Sequence, residues 1–157
     1  MAYAPSFDLP GGQPITETST VQKHPLGTRI RAIDPVYGES EFVYLKGVAS
    51  TVAGSVVTFD QRNAATVLTT LSTLGLIAVA MSANVANQFG WYCVAGACSA
   101  KAAATVVSGA QAQLTANAGE VDDLAVAEKF IRGMNFASTS SGGFADVVLN
   151  HPSSSAG

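Results

Sequence analysis

The side chains in this sequence with the chemistry to act as nucleophiles or ligands are two histidines, two cysteines and one acidic cluster. A Ser-His-Asp nucleophile needs its histidine held in place by packed neighbours. His24 precedes Pro25 and His151 precedes Pro152, both in terminal segments. Neither position offers an evidently rigid base, so the chain is not expected to be an enzyme. Glu120, Asp122, Asp123 and Glu128 bring oxygens suited to a hard cation, but without the spacing of a calcium loop. The cluster reads as a solvated surface, and no metal is expected. The glycines never form G-x-G-x-x-G or a loop ending in Gly-Lys-Ser/Thr, so they read as turns and tight contacts, with no cofactor implied.

Cys93 and Cys98 sit in WYCVAGACS. In one continuous strand their odd spacing sends the thiols to opposite faces, where they cannot bond. A hairpin turning at Ala95-Gly96 would bring them together, although a reducing compartment disfavours a disulfide. Two buried free thiols are expected. Phe42, Tyr44, Phe59, Trp91 and Tyr92 have only Lys46, Arg62 and Lys101 near them, too few cations for a phosphate track. These aromatics are expected to be core or subunit-interface anchors. Trp91 and Tyr92 are consecutive, so a strand turns them to opposite faces and denies a sugar a flat two-ring platform.

The elements that would position these residues are short and β-patterned. Between Phe42 and Lys101 the only charged side chains are Lys46, Asp60 and Arg62. Charged residues make up 12% of the 157, with a net charge of −3, and 48% are apolar. That balance leaves no basic stripe for nucleic acid. A surface so poor in charge is buried in a core or against other subunits, and a core built of Ala and Val is expected to lean on oligomer contacts. No apolar run approaches the ~20 residues of a membrane-spanning helix. The amino terminus lacks the basic and apolar regions of a signal peptide, so a soluble chain made in a cytoplasm is expected.

Residues 1–28 hold four of the six prolines and read either as a floppy terminus or as an extended arm with apolar anchors Tyr3, Phe7, Leu9, Ile15 and Val21. Residues 29–150 read as a β-rich core and 151–157 as a flexible tail. Strands are expected at 28–34, 41–48, 55–60, 76–82 and 144–149, with 66–73 undecided between helix and strand. Residues 84–89 suit a helical turn, and 90–104 one long strand or a hairpin. For 121–134, a helix presenting Val121, Leu124, Ala125 and Phe130 competes with a loop followed by a strand from Glu128. The fold class is all-β, either a jelly-roll-like sandwich or a small barrel.

The phrases YGESEFVYLKGVASTVAGSVVTFD, LIAVAMSANVANQFGWYCVAGACSAKAAA and TANAGEVDD resemble those of tailed-bacteriophage head decoration, or capsid cement, proteins. The resemblance runs from about Pro25 to Pro152. It implies a β-rich structural protein on the outside of an icosahedral head, assembled in the host cytoplasm and reinforcing the shell against internal DNA pressure. Its implied partners are the major capsid protein and copies of itself, as dimer or trimer, and the family brings no catalytic residues. A tail or head-completion subunit and a carbohydrate-binding β-domain are the alternatives. The arm is expected to reach onto neighbouring subunits, so that removal of residues 1–24 would leave the core folded.

Overall fold

The computed structural model describes Ala4–Pro5 and residues 12–124 and 129–155. The first hairpin follows from alternation. Along β2 (Arg29–Asp34), Ile30, Ala32 and Asp34 point inward while Arg31 and Ile33 face out. It pairs with β3 (Gly38–Lys46) from Arg29 opposite Val43 to Asp34 opposite Gly38. The Asp34 carboxylate closes the turn, accepting from the amides of Val36 (2.7 Å) and Tyr37 (2.9 Å). A two-residue strand, β1 (Ala4–Pro5), pairs with the outer edge of β2.

The remaining strands are β4 (Val56–Phe59), β5 (Thr66–Leu68), β6 (Gly75–Ala80), β7 (Phe89–Lys101), β8 (Gln111–Leu114), β9 (Val121–Asp122), β10 (Phe130–Phe136) and β11 (Phe144–Ser154). They join one antiparallel sheet in the order β1-β2-β3-β7-β6-β11-β10-β8-β9, with β4 between β5 and β6. The architecture is all-β, and the sheet does not close. It curls enough that Ile30 and Ala32 of β2 share one core with Ala112 and Leu114 of β8.

The central strands are buried on both faces. Phe42, Tyr44, Ile77, Val79 and Trp91 enter the larger core. The intervening Val43, Leu45, Ala78, Ala80 and Tyr92 enter a second, smaller one. A strand covered on both sides has no solvent face for charge, which accounts for the nearly charge-free run.

Two bulges reshape the pattern. Glu41 pairs with Ala95 but Phe42 with Cys93, so Val94 is an extra residue on β7. Gly96 follows with φ +99° and lies against Ser40, where a Cβ would collide. The extra residue restores Cys98 to the side that Cys93 faces, and both thiols enter the larger core. The opposite-face expectation for the cysteines is therefore corrected. In β10 a bulge at Gly133 (φ +77°) separates the inward Ile131 and Met134 by three residues rather than two.

No helix forms among the described residues, so the helical reading of 121–134 gives way to strands β9 and β10. Of its proposed face, Val121 is buried, Leu124 and Phe130 are exposed, and Ala125 lies outside the described residues. Residues 84–89 form a turn leading into β7, not a helix. The expected tail at 151–157 is also corrected. β11 continues through Ser154, which pairs with Ile131 and Gly75 and donates its hydroxyl to the Thr73 carbonyl at 3.0 Å.

Candidate functional site

Gln13 is the polar centre of an aromatic seat at the start of β7. Trp91 Nε1 donates to the Gln13 carbonyl at 2.8 Å, and the Tyr44 hydroxyl donates to Gln13 Oε1 at 2.7 Å. Gln13 Nε2 donates to the carbonyls of Glu17 (2.7 Å) and Phe89 (2.9 Å), and its amide donates to His24 Nε2 at 3.1 Å. The His24 ring lies 5.1 Å from that of Tyr44 and 5.2 Å from that of Trp91, and Tyr44 and Trp91 meet edge to face at 5.0 Å. Burial, with Lys23 adding repulsion, holds the His24 pKa below its usual value. Burial raises that of Tyr44, partly offset by the Lys23 amide donating to its oxygen.

The anchors named from sequence therefore separate. Phe42, Tyr44 and Trp91 are enclosed in the larger core, and Phe59 and Tyr92 in the smaller one. Ile15 is enclosed too, within its own subunit, whereas Val21 is exposed. Tyr3, Phe7 and Leu9 lie outside the described residues. A deletion of residues 1–24 would carry away Gln13 and Ile15, which are part of the core rather than of a separate arm. Sequence reasoning missed Gln13 because a lone glutamine in a Pro/Gly stretch carries no periodic signal.

The chemical candidates disperse. Both cysteines are buried and free, and the hydrogen bond with the Cys93 thiol, together with burial, raises the Cys98 pKa well above the usual thiol value. Asp123 accepts from the Val107 amide (2.8 Å) and Glu120 from Asn117 Nδ2 (2.9 Å), while Glu128 lies outside the described residues. No metal-competent group of three acidic, histidine or cysteine side chains occurs among the described residues.

Two surfaces remain. The first is the outer face of the β7–β11 pair, where Phe144, Asp146, Val148 and Asn150 stand opposite Lys101, Ser99, Ala97 and Ala95. Phe144 is 39% and Val148 49% exposed, and Phe144 lies over Gly54. The Asp146 carboxylate is occupied by the Tyr37 hydroxyl at 2.8 Å, and burial together with this bond pushes the Tyr37 pKa up to about 12.

The second surface is a cleft where the sheet branches. β6 pairs with β7 through Val79 and Ala80, then with β11 through Leu76 and Gly75. Between these partners opens a hollow of about 190 Å³ lined by Phe59, Leu76, Ile77, Val94 and Pro152. Arg29, Gln61 and His151 complete its lining. Glu41 ties two of these together, 3.2 Å from Arg29 Nη1 and 3.7 Å from His151 Nε2. His151 has φ +44°, a left-handed backbone rare outside glycine. This constellation was not legible beforehand, since it depends on a strand branch point. No protein-family model, curated protein or solved structure matches the chain.

Proposed function

We propose that this chain is a structural virion protein, a decoration subunit that binds the exterior of a tailed-phage head and reinforces it against internal pressure. The observation that carries this reading is the neutral outer face of β7 and β11. It displays Phe144 and Val148 among Ala95, Ala97 and Ser99, with Lys101 as its one cation and Asp146 already engaged. Exposed apolar residues on a weakly charged sheet face favour contact with another protein surface. The open sheet adds edges on which a neighbour's strand can be accommodated. The partners in this reading are the major capsid protein and further copies of the chain, as dimer or trimer. Residues 13–28 belong to the subunit's own fold, which confines any clamp onto neighbours to the residues before them.

The test is co-sedimentation of the purified protein with shells assembled from the major capsid protein, before and after expansion. Saturable binding and a higher temperature of shell disruption are expected. Val148→Lys, on an exposed position, should weaken binding while leaving the fold intact. If the protein sediments with neither form of shell, the decoration reading fails. Copy number on the virion separates it from a tail or head-completion subunit, which would be present in far fewer copies. Stacking of a sugar on Trp91 and Tyr92 has no support, because both rings are fully enclosed.

A further inference from the structure

We infer that the cleft at the β6–β7–β11 branch is a binding site for a single neutral pyranose ring. The inference is independent of attachment to a shell. Its first support is the mixture of donors and acceptors. Arg29 presents only donors, the Glu41 carboxylate beside it only acceptors, and the Gln61 amide and His151 ring supply both. A sugar hydroxyl also donates and accepts, so vicinal hydroxyls can be matched by such a set.

Charge selects among ligands. Glu41 lies 3.2 Å from the Arg29 guanidinium and 3.7 Å from the His151 ring, so the rim is already neutralised. A free anion would have to displace Glu41 to reach them. A purely apolar ligand would cover the Gln61 amide and the remaining Arg29 donors without supplying hydrogen bonds, which is unfavourable. A neutral polyhydroxylated ring avoids both costs, with its C–H face against the half-buried Leu76, behind which Phe59, Ile77 and Val94 form the buried floor. Size narrows the choice further. The hollow of about 190 Å³ is well below the roughly 300–1,000 Å³ of sites for drug-sized ligands, so it holds one ring rather than an oligosaccharide.

The second, independent support is the backbone at His151. Its φ of +44° is adopted by a non-glycine residue immediately before Pro152, and proline further restricts the residue preceding it. No requirement of the turn calls for a histidine there, since glycine would adopt this conformation without steric cost. Strained side chains held in place at a cleft mouth are a recurrent feature of binding sites. The bend sets the imidazole at the rim, 52% exposed and directed toward Glu41.

The experiment is NMR titration of the intact protein with methyl pyranosides of glucose, mannose, galactose and N-acetylglucosamine, with acetate and benzoate as anionic probes. We expect at least one pyranoside to shift the His151 ring and the Ile77 and Val94 methyl signals saturably, with a dissociation constant on the order of 1 mM. Gln61→Ala and His151→Gly should each lower that affinity about tenfold, the loss of roughly one hydrogen bond to a polar ligand. The glycine variant relieves the backbone while adding freedom to the unfolded chain, so its thermal midpoint should shift by no more than about 4 °C and lost binding cannot be ascribed to misfolding. Saturation by benzoate or acetate without a pyranoside response would overturn the assignment in favour of an anion site. The absence of any saturable shift at the cleft overturns it outright, whether or not the protein attaches to shells.

Discussion

The chain contains two His-Pro steps, and they serve opposite ends. His24-Pro25 lies against the aromatic seat, where the His24 ring accepts the Gln13 amide and packs beside Tyr44 and Trp91. His151-Pro152 lies at the mouth of a cleft, half exposed, in a left-handed backbone and beside Glu41. The same dipeptide is structural where its ring has aromatic neighbours and a buried donor. It is available for recognition where the strand bends away from its partner. Residue type and local order are equal in the two places, so the difference arises from packing.

The largest break in this comparison should come from Trp91→Ala. It removes a fully buried ring together with the donor to the Gln13 carbonyl. Loss of such a residue costs about 3–5 kcal/mol. At roughly 2–4 °C per kcal/mol for a chain of this size, the thermal midpoint should fall by about 6–20 °C. An unchanged midpoint in differential scanning calorimetry would show that the seat does not support the core.

Gln13→Ala should have the next largest effect. It leaves the buried Tyr44 hydroxyl without its acceptor and takes a donor from the Phe89 and Glu17 carbonyls. A cost of about 1–3 kcal/mol is expected for the groups left unpaired. Chemical denaturation measures it. Equal stability of variant and parent would mean that water replaces the amide without loss, and that Ile15 and the backbone bonds to Tyr44 and Phe89 suffice to hold the segment before β2.

Acid should act on one histidine through stability. His24 has a folded-state pKa below the ordinary histidine value of 6.5, with burial as the main cause. The unfolded chain therefore binds the proton more readily. The stability from this group is fully present above 6.5 and is lost as pH falls through that value toward and below the folded pKa. His24→Phe keeps a ring but abolishes both acceptor and titration. It should lower the midpoint at neutral pH yet reduce the further loss on going to pH ~5. An acid response of the same size in the variant would assign the effect to another group.

The smallest effect belongs to His151→Gly. Relief of the left-handed backbone and the added freedom of glycine in the unfolded chain oppose each other, so stability should change by less than about 1 kcal/mol. A loss comparable to that of Gln13→Ala, read in the same denaturation experiment, would make His151 structural and erase the contrast between the two His-Pro steps.

Much of the strand content was legible because alternation is a local property. In β2, Ile30, Ala32 and Asp34 face inward as their spacing requires. The run from Phe42 to Lys101 announced burial through its lack of charge, although not the reason, which is enclosure of β3, β6 and β7 on both faces. For 121–134 the pattern leaves a helix and a loop followed by a strand both open, and the strand forms, as β10. Bulging at Gly133 places Ile131 and Met134 three residues apart on one face of a strand, a spacing that belongs to a helix when read along the chain. Cys93 and Cys98 mislead for a related reason, the extra residue at Val94. The candidate cleft was less legible than the fold. Arg29 and Glu41 come within reach only once the β2–β3 register is set, and His151 joins them from the opposite end of the chain.

The sequence by itself determined the class of structure. Short β-branched runs, turn-forming Gly and Asp-Pro steps, and scarce charge are local quantities, and together they point to an all-β fold. Tertiary structure alone decided which residues face one another. A bulge is a mismatch in residue count between two paired strands, so it has no expression in either strand read singly. Gln13 becomes a keystone only because β3 and β7 bring Tyr44 and Trp91 to it. The cleft exists only because β6 exchanges one partner for another along its length. Backbone hydrogen bonding across strands far apart in sequence sets each of these meetings, and the identity of the partner is the one thing a local pattern does not carry.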